Sequence, residues 1–161
     1  MTPQEMNEKA QRLYNEGFHC SQAVFSTGCD KLGRQSSEVI AALSPFGGGL
    51  GSTGNVCGCL PGALAVLGLS MGKEQPSEKD HKLMWKYAYK LVKRFESLSA
   101  EYGGINCKDI ARIDWKDRKQ VMAYYKNGPD SRKKECLKII GATAQALGEI
   151  LEEISERSKK Q

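Results

Sequence analysis

The stretch Gly47–Leu69 reads GGGLGSTGNVCGCLPGALAVLGL, and two kinds of fold compete for it. In an α/β protein a strand leads into such a glycine-rich loop, and the following helix start cradles a phosphate. A phosphate loop requires GxxxxGKS or GxxxxGKT after a strand, and neither the lysine nor the strand is present. A dinucleotide fingerprint needs a βαβ unit, and no sustained alternation of apolar and polar residues occurs anywhere in the chain. The helical reading remains. The glycines form a sharply folded connector that delivers Cys57 to the head of a helix running from Gly58 to Leu69. Pro61 then falls among the first four helical residues, whose amides lack intrahelical partners in any case. Gly58 and Gly62, four residues apart, leave a face without side chains, where a second helix or a bound cofactor can approach the backbone closely.

Helical punctuation recurs on both sides of this stretch. Thr2-Pro3 is a cap followed by a first-turn proline, and Gly17 stops the segment near Glu16. CSQAVFSTGCDKL is closed by Gly33, and SSEVIAALSPFG starts on Ser36 and Ser37 and stops before Pro45. The segment Ser77–Tyr102 opens on SEKD, a capping-box pattern, and carries Leu83, Tyr87, Leu91, Phe95 and Leu98 at helical spacing. That pattern predicts the central helix. RKQVMAYYKNG predicts a helix ending at Gly128. A last helix is predicted over Pro129–Arg157, with Cys136, Ile140, Ala144, Leu147, Leu151 and Ile154 in a stripe. The expectation is an all-α, single-domain bundle of about five to seven helices spanning residues 1–161, with residues 156–161 as a disordered tail.

Composition agrees with that class and removes others. Apolar residues make up 40% and charged residues 27% of 161 positions, a globular balance. The longest apolar run, Leu60–Leu69, is too short to cross a bilayer. The stretch MTPQEMNEKAQRLYNEG lacks the basic and apolar regions of a secretory signal, so a cytoplasmic location is expected. The net charge of +5 is spread along helices and the segment ERSKKQ. It accompanies no zinc-finger spacing, RNP-type strand or arginine tract, so no nucleic-acid partner is expected.

Six cysteines are more than packing requires, and a reducing compartment disfavours a disulfide framework. Cys20, Cys57 and Cys107 each follow a loop signal at a helix start, in GFHC-SQAV, GNVC-GCLPGA and GINC-KDI. A helix start stabilises a thiolate, so Cys57 is expected to be the fastest thiol. Cys136 lies near the start of the last helix and can turn toward the same point. Cys29 suits a small core hydrophobe. His19 reads as a surface histidine more readily than as a ligand or base, and His81 as solvated on the long helix. No Ser-His-Asp arrangement or paired-carboxylate pattern supports a hydrolase.

These segments together resemble a known family. GFHCSQAV, FGGGLGSTGNVCGCLPGALAVLGL, YGGINCKDI and a late cysteine before LKIIGATAQALGEIL are similar to the redox-active proteins named for their C, GCAxxG, C, C signature. The likeness runs from about residue 8 to 152. The motif CGAxxGA aligns Cys57, Gly58, Gly62 and Ala63. Cys59 stands where that motif has alanine, which makes a Cys-x-Cys pair and leaves open whether four or five thiols serve the site. The resemblance implies a small helical redox protein of the kind often encoded near transporter genes, with some relatives joined to haem or iron–sulfur modules. No Cys-x-x-Cys-His for covalent haem is present.

Three active readings follow, beside a purely structural helical domain. In the first, Cys20, Cys57, Cys107 and Cys136, with or without Cys59, bind an iron–sulfur cluster for electron transfer with a partner redox protein. In the second, Cys57 attacks and Cys20 or Cys59 resolves in thiol–disulfide exchange, with no cofactor. In the third, the thiolates hold zinc or another soft metal in a binding or sensing module linked to transport. The spread of thiols over four segments favours a cluster or metal. Assembly into a homo-oligomer stays open.

Overall fold

The computed structural model describes residues 1–34, 36–126 and 128–159. Among the described residues eight α-helices follow one another: α1 Pro3–Asn15, α2 Cys20–Leu32, α3 Ser37–Ala42, α4 Cys59–Met71, α5 Met84–Ser99, α6 Cys107–Ala111, α7 Arg118–Tyr125 and α8 Lys133–Ser158. Short 3₁₀ turns lie at Ser44–Phe46 and Ala100–Tyr102. Among the described residues there is no strand, only an isolated bridge between Val56 and Asn106. The all-α single domain is therefore observed, with one helix more than the upper expectation. The two shortest, α3 and α6, are only six and five residues long.

Two helices dominate the interior. α8 packs along α1, α2, α4 and α5, and α2 packs against α1, α4 and α8. Glycine sets how near they come. At Gly28 of α2 a side chain would strike Val66 of α4 and Leu147 of α8. At Gly141 and Gly148 of α8 it would strike Asn7 and Met6 of α1. The apolar stripes predicted from spacing are the buried ones: Tyr87, Leu91 and Phe95 on α5, and Ile140, Ala144, Leu147 and Leu151 on α8.

Five expectations need correction. The long helix does not start at Ser77. α5 begins at Met84, because the acid of the supposed capping box, Asp80, accepts from the Lys73 amide of the loop instead, and the neighbouring Glu78 carboxylate accepts from the Glu74 and Gln75 amides. His81 is thus exposed in that loop rather than on a helix, its Nδ1 accepting from the Leu83 amide. Nor is α5 central, since it packs chiefly on α4 and α8 while α2 and α8 hold the middle. Finally, α8 starts at Lys133, after a turn closed by the Ser131 amide on the Gly128 carbonyl, and continues through Ser158. Residues 156–158, read as disordered tail, are helical. Arg157 complements the helix C-terminus, and the Ser158 hydroxyl donates to the Ile154 carbonyl. Lys160 and Gln161 lie outside the described residues.

Candidate thiolate centre

The glycine-rich connector is wound the wrong way round for L-residues. Gly48, Gly49, Leu50, Gly51 and Ser52 have consecutive φ values between 59° and 67°. A left-handed turn costs each non-glycine residue about 1–2 kcal/mol, so glycine at three of the five positions makes it affordable. The turn is held by the Leu50 amide on the Phe46 carbonyl (3.2 Å) and the Gly54 amide on the Gly48 carbonyl (3.0 Å). The chain then straightens and is pinned beside α6. The Cys57 amide donates to the Ile105 carbonyl (3.0 Å), and the Cys107 and Lys108 amides donate to the Asn55 and Gly54 carbonyls (2.7 and 3.0 Å). Gly49 lets the turn press on Cys107, whose Cβ would lie 2.7 Å from any side chain placed there.

These connections bring five of the six cysteines to one cavity of about 450 Å³. Cys20, Cys57, Cys59, Cys107 and Cys136 line it, with His19, Tyr14, Trp115 and Tyr125 among the other walls. Cys20, Cys57 and Cys59 form the tight group: their sulfurs all lie within 4.8 Å of one another. Cys107 and Cys136 are outside that group, near enough for both to feel charge on Cys20 and for Cys107 to raise the Cys136 thiol pKa. Cys29 does not line the cavity and is buried at 2% exposure in the main core.

Gly58 and Gly62 make the tight group by letting the start of α4 settle on the start of α2. A side chain at Gly58 would sit 2.7 Å from the Phe46 carbonyl oxygen and 2.9 Å from the Cys20 sulfur. At Gly62 it would run into the Ser21 backbone. Neither glycine lines the cavity. The bare face of Gly58 is taken up by the Phe46 carbonyl and the Cys20 sulfur, and that of Gly62 by the start of α2.

The electrostatics reverse the expected order of the thiols. Cys20 is the first residue of α2, half-buried, and its thiol is held well below the ordinary range. The Cys57 and Cys59 thiols donate to it, with smaller help from the Ser21 amide and His19. Cys57 and Cys59 are pushed well up, Cys57 chiefly by donating to Cys20 and Cys59 chiefly by burial. The expectation of a fast Cys57 thiolate is thus corrected. Cys57 lies two residues before α4, and its own amide is committed to Ile105. Cys107 heads α6 but is raised to about 11 by burial, against which the Trp115 Nε1–H donates to its sulfur at 3.1 Å. A five-residue helix whose first two amides are already bonded to the connector has little positive end to offer. Cys136 is raised to about 12 by burial, and the Tyr124 hydroxyl partly offsets this by donating to its sulfur.

Tyr14, Trp115 and Tyr124 carry no motif that marks them in the sequence. The Tyr14 and Tyr124 hydroxyls are 2.6 Å apart. Trp115, Tyr124 and Tyr125 stack edge-on or tilted, with centroids 5.1–6.5 Å apart. His19 is exposed, as a surface histidine should be, yet its ring packs on Gly47 at the cavity rim.

Three thiolates on one ion at about 2.3 Å stand about 4 Å apart. The spread of Cys20, Cys57 and Cys59 suits that, and the three form a group able to hold a metal ion. No helix among the described residues is long and apolar enough to cross a membrane. No curated protein and no solved structure matches the chain. Residues 18–150 match the family described as "Putative redox-active protein (C_GCAxxG_C_C)", and over that span, which holds all six cysteines, the chain belongs to this redox-active family.

Proposed function

We propose that the chain is a redox protein whose cavity wall holds one thiolate-bound metal ion, with Cys20, Cys57 and Cys59 as its three protein ligands. The observation behind this reading is the mutual approach of three sulfurs at the wall of a cavity with room beside them. Three protein ligands and an open fourth position are the pattern of a reactive rather than a closed structural site. A redox-active metal there supplies an electron donor or acceptor to whatever enters the cavity. The chain's own part is to hold the charge. Cys20 brings a thiolate already held low, chiefly by the Cys57 and Cys59 thiols, while Cys57 and Cys59 lose their protons on binding. Cys107 and Cys136 stand ready to serve a larger group, and an iron–sulfur cluster would draw on them because each of its irons needs its own thiolate.

One observation favours a second reading. The Cys20 thiolate lies against two thiols, which is also the arrangement of an attacking and a resolving cysteine. Anaerobic purification followed by metal and acid-labile sulfide analysis separates the readings. The ion reading expects about one metal per chain without sulfide, lost in Cys20→Ser and Cys59→Ser and kept in Cys29→Ser. Iron and sulfide in equal amount would replace it with the cluster. Wild-type protein that takes up no metal would replace it with exchange.

A further inference from the structure

Beside the cysteine cavity lies a second pocket of about 370 Å³, and Ser52 and Trp115 belong to the walls of both. Its remaining walls include Lys108, Arg112 and Lys116, all exposed, against the single carboxylate of Asp114. None of the three cations is in an ion pair among the described residues, whereas Lys9, Lys31, Lys90, Lys93 and Arg94 all are. The Asp114 carboxylate is partly engaged, accepting from the Lys116 amide at 3.0 Å. Backbone conformation points to the same place. Only three non-glycine residues have positive φ among the described residues, and two of them, Ser52 and Arg112, line this pocket. Arg112 ends α6 with φ 50°, where glycine would be free of the cost of about 1–2 kcal/mol. That strained position puts a guanidinium on the pocket wall.

We propose that this pocket is the anion-binding vestibule of the cysteine cavity, seating a small substrate with two or more negative charges whose reactive end passes Trp115 to the thiols. The inference rests on the cavity being the reactive site, as proposed above. Three cations around one concavity, rather than spread over a flat face, suit a small polyanion better than an acidic protein surface. The two spaces together fall within the range of small-molecule sites.

The test uses the full-length protein as purified and two probes, the dianionic disulfide 5,5′-dithiobis(2-nitrobenzoate) and the neutral 4,4′-dithiodipyridine. With either, a cavity thiolate forms a bond to one probe sulfur, and the other sulfur leaves as the thiolate with the electron pair. Each rate is normalised to that of a small free thiol. The ratio of the two rates then cancels any metal occupancy, which is measured separately on the same samples. At low ionic strength the ratio is expected to favour the dianion about tenfold, and to fall toward one in high salt. It should fall equally in Lys108→Gln, Arg112→Gln, Lys116→Gln protein, with the neutral probe's rate unchanged. That unchanged rate also shows that the variant is folded. Lys73→Gln, Lys79→Gln, Lys82→Gln protein, with the same net charge removed from the loop before α5, should keep the ratio. Equal normalised rates in wild type, or an equal fall in the loop variant, would overturn the vestibule. Metal content would stand in either case.

Discussion

The cavity has two walls built on different principles. Where α2 meets α4, the sulfurs of Cys20, Cys57 and Cys59 are gathered by backbone, since bare glycine faces let two helix starts touch. Their hydrogen bonds are to one another, so one thiolate is stabilised at the expense of two thiols. On the wall of α6, α7 and α8, Cys107 and Cys136 stand singly, and each receives a donor from an aromatic side chain, Trp115 or Tyr124. They also belong to a small separate apolar cluster with Ala111, Ile113 and Tyr124. The first wall has the makings of a ligand set. The second modulates individual sulfurs facing it. Perturbing backbone should therefore damage the first wall, and perturbing side-chain donors should retune the second.

The largest effect is expected from Gly62→Ala. The added methyl meets the Ser21 backbone, which cannot swing aside as a side chain would, so α4 must move off α2. Overpacking of this kind costs about 3 kcal/mol, read as a lower denaturant midpoint, and metal uptake should fall with it. Gly68→Ala lies on the same helix with nothing within 4 Å and should stabilise by about 0.5–1 kcal/mol. Equal effects at the two glycines would break the comparison.

Titration sharpens it next. Metal-free protein enters the neutral range with Cys57 and Cys59 protonated and Cys20 held low. Binding an ion to all three should then release about two protons, and affinity should rise about a hundredfold per pH unit while both remain protonated. The sign follows from the raised groups, since protons compete with metal until the pH passes their pKa. Calorimetry in buffers of different ionisation heat counts the protons. Release of three would mean that Cys20 is an ordinary thiol.

On the second wall, Tyr124→Phe removes the hydroxyl shared with Tyr14 and the donor to Cys136. Loss of buried hydrogen bonds should cost about 1.5 kcal/mol. Cys136, already raised to about 12 by burial, should rise further, so its alkylation slows at every pH while that of Cys20 is unaltered. A change at Cys20 as large as that at Cys136 would show that the walls are not separate.

Those contrasts also mark what the residues disclose before folding. Cys20 and Cys107 were legible as helix heads, because a loop signal followed by periodic apolar residues is a local pattern. The thiol order was not legible. Whether a helix-start cysteine becomes a thiolate depends on which groups reach it from other elements, and for Cys20 those are Cys57 and Cys59, which come from the start of α4, beyond α3 and the glycine-rich connector. Trp115 was invisible for the same reason. It lies in the irregular segment between α6 and α7, where no periodicity fixes a direction. The false start at Ser77 shows the converse failure. SEKD is a sound capping pattern, but its acid, Asp80, accepts from the Lys73 amide of the loop instead.

The smallest effect is expected at Cys29, and it is the control on which the comparison depends. Cys29 shares α2 with Cys20 and is as well buried as any cysteine of the cavity wall apart from Cys59. Position on the helix separates the two. Cys20 stands at the first turn, where α4 arrives, while Cys29 lies in the last turn, past Gly28, where Val66 and Leu147 fill the space. Burial raises its thiol, Asp30 adds to that, and no other cysteine contributes. Replacing it with alanine removes one small apolar group from a packed core, and a loss of about 1 kcal/mol is expected, typical of single substitutions. Metal stoichiometry, proton release and the probe ratio should all match wild type. Burial alone would predict similar behaviour for Cys29 and Cys57, so a Cys29→Ala protein that loses metal would show that the site is set by thiol content rather than by the meeting of α2 and α4.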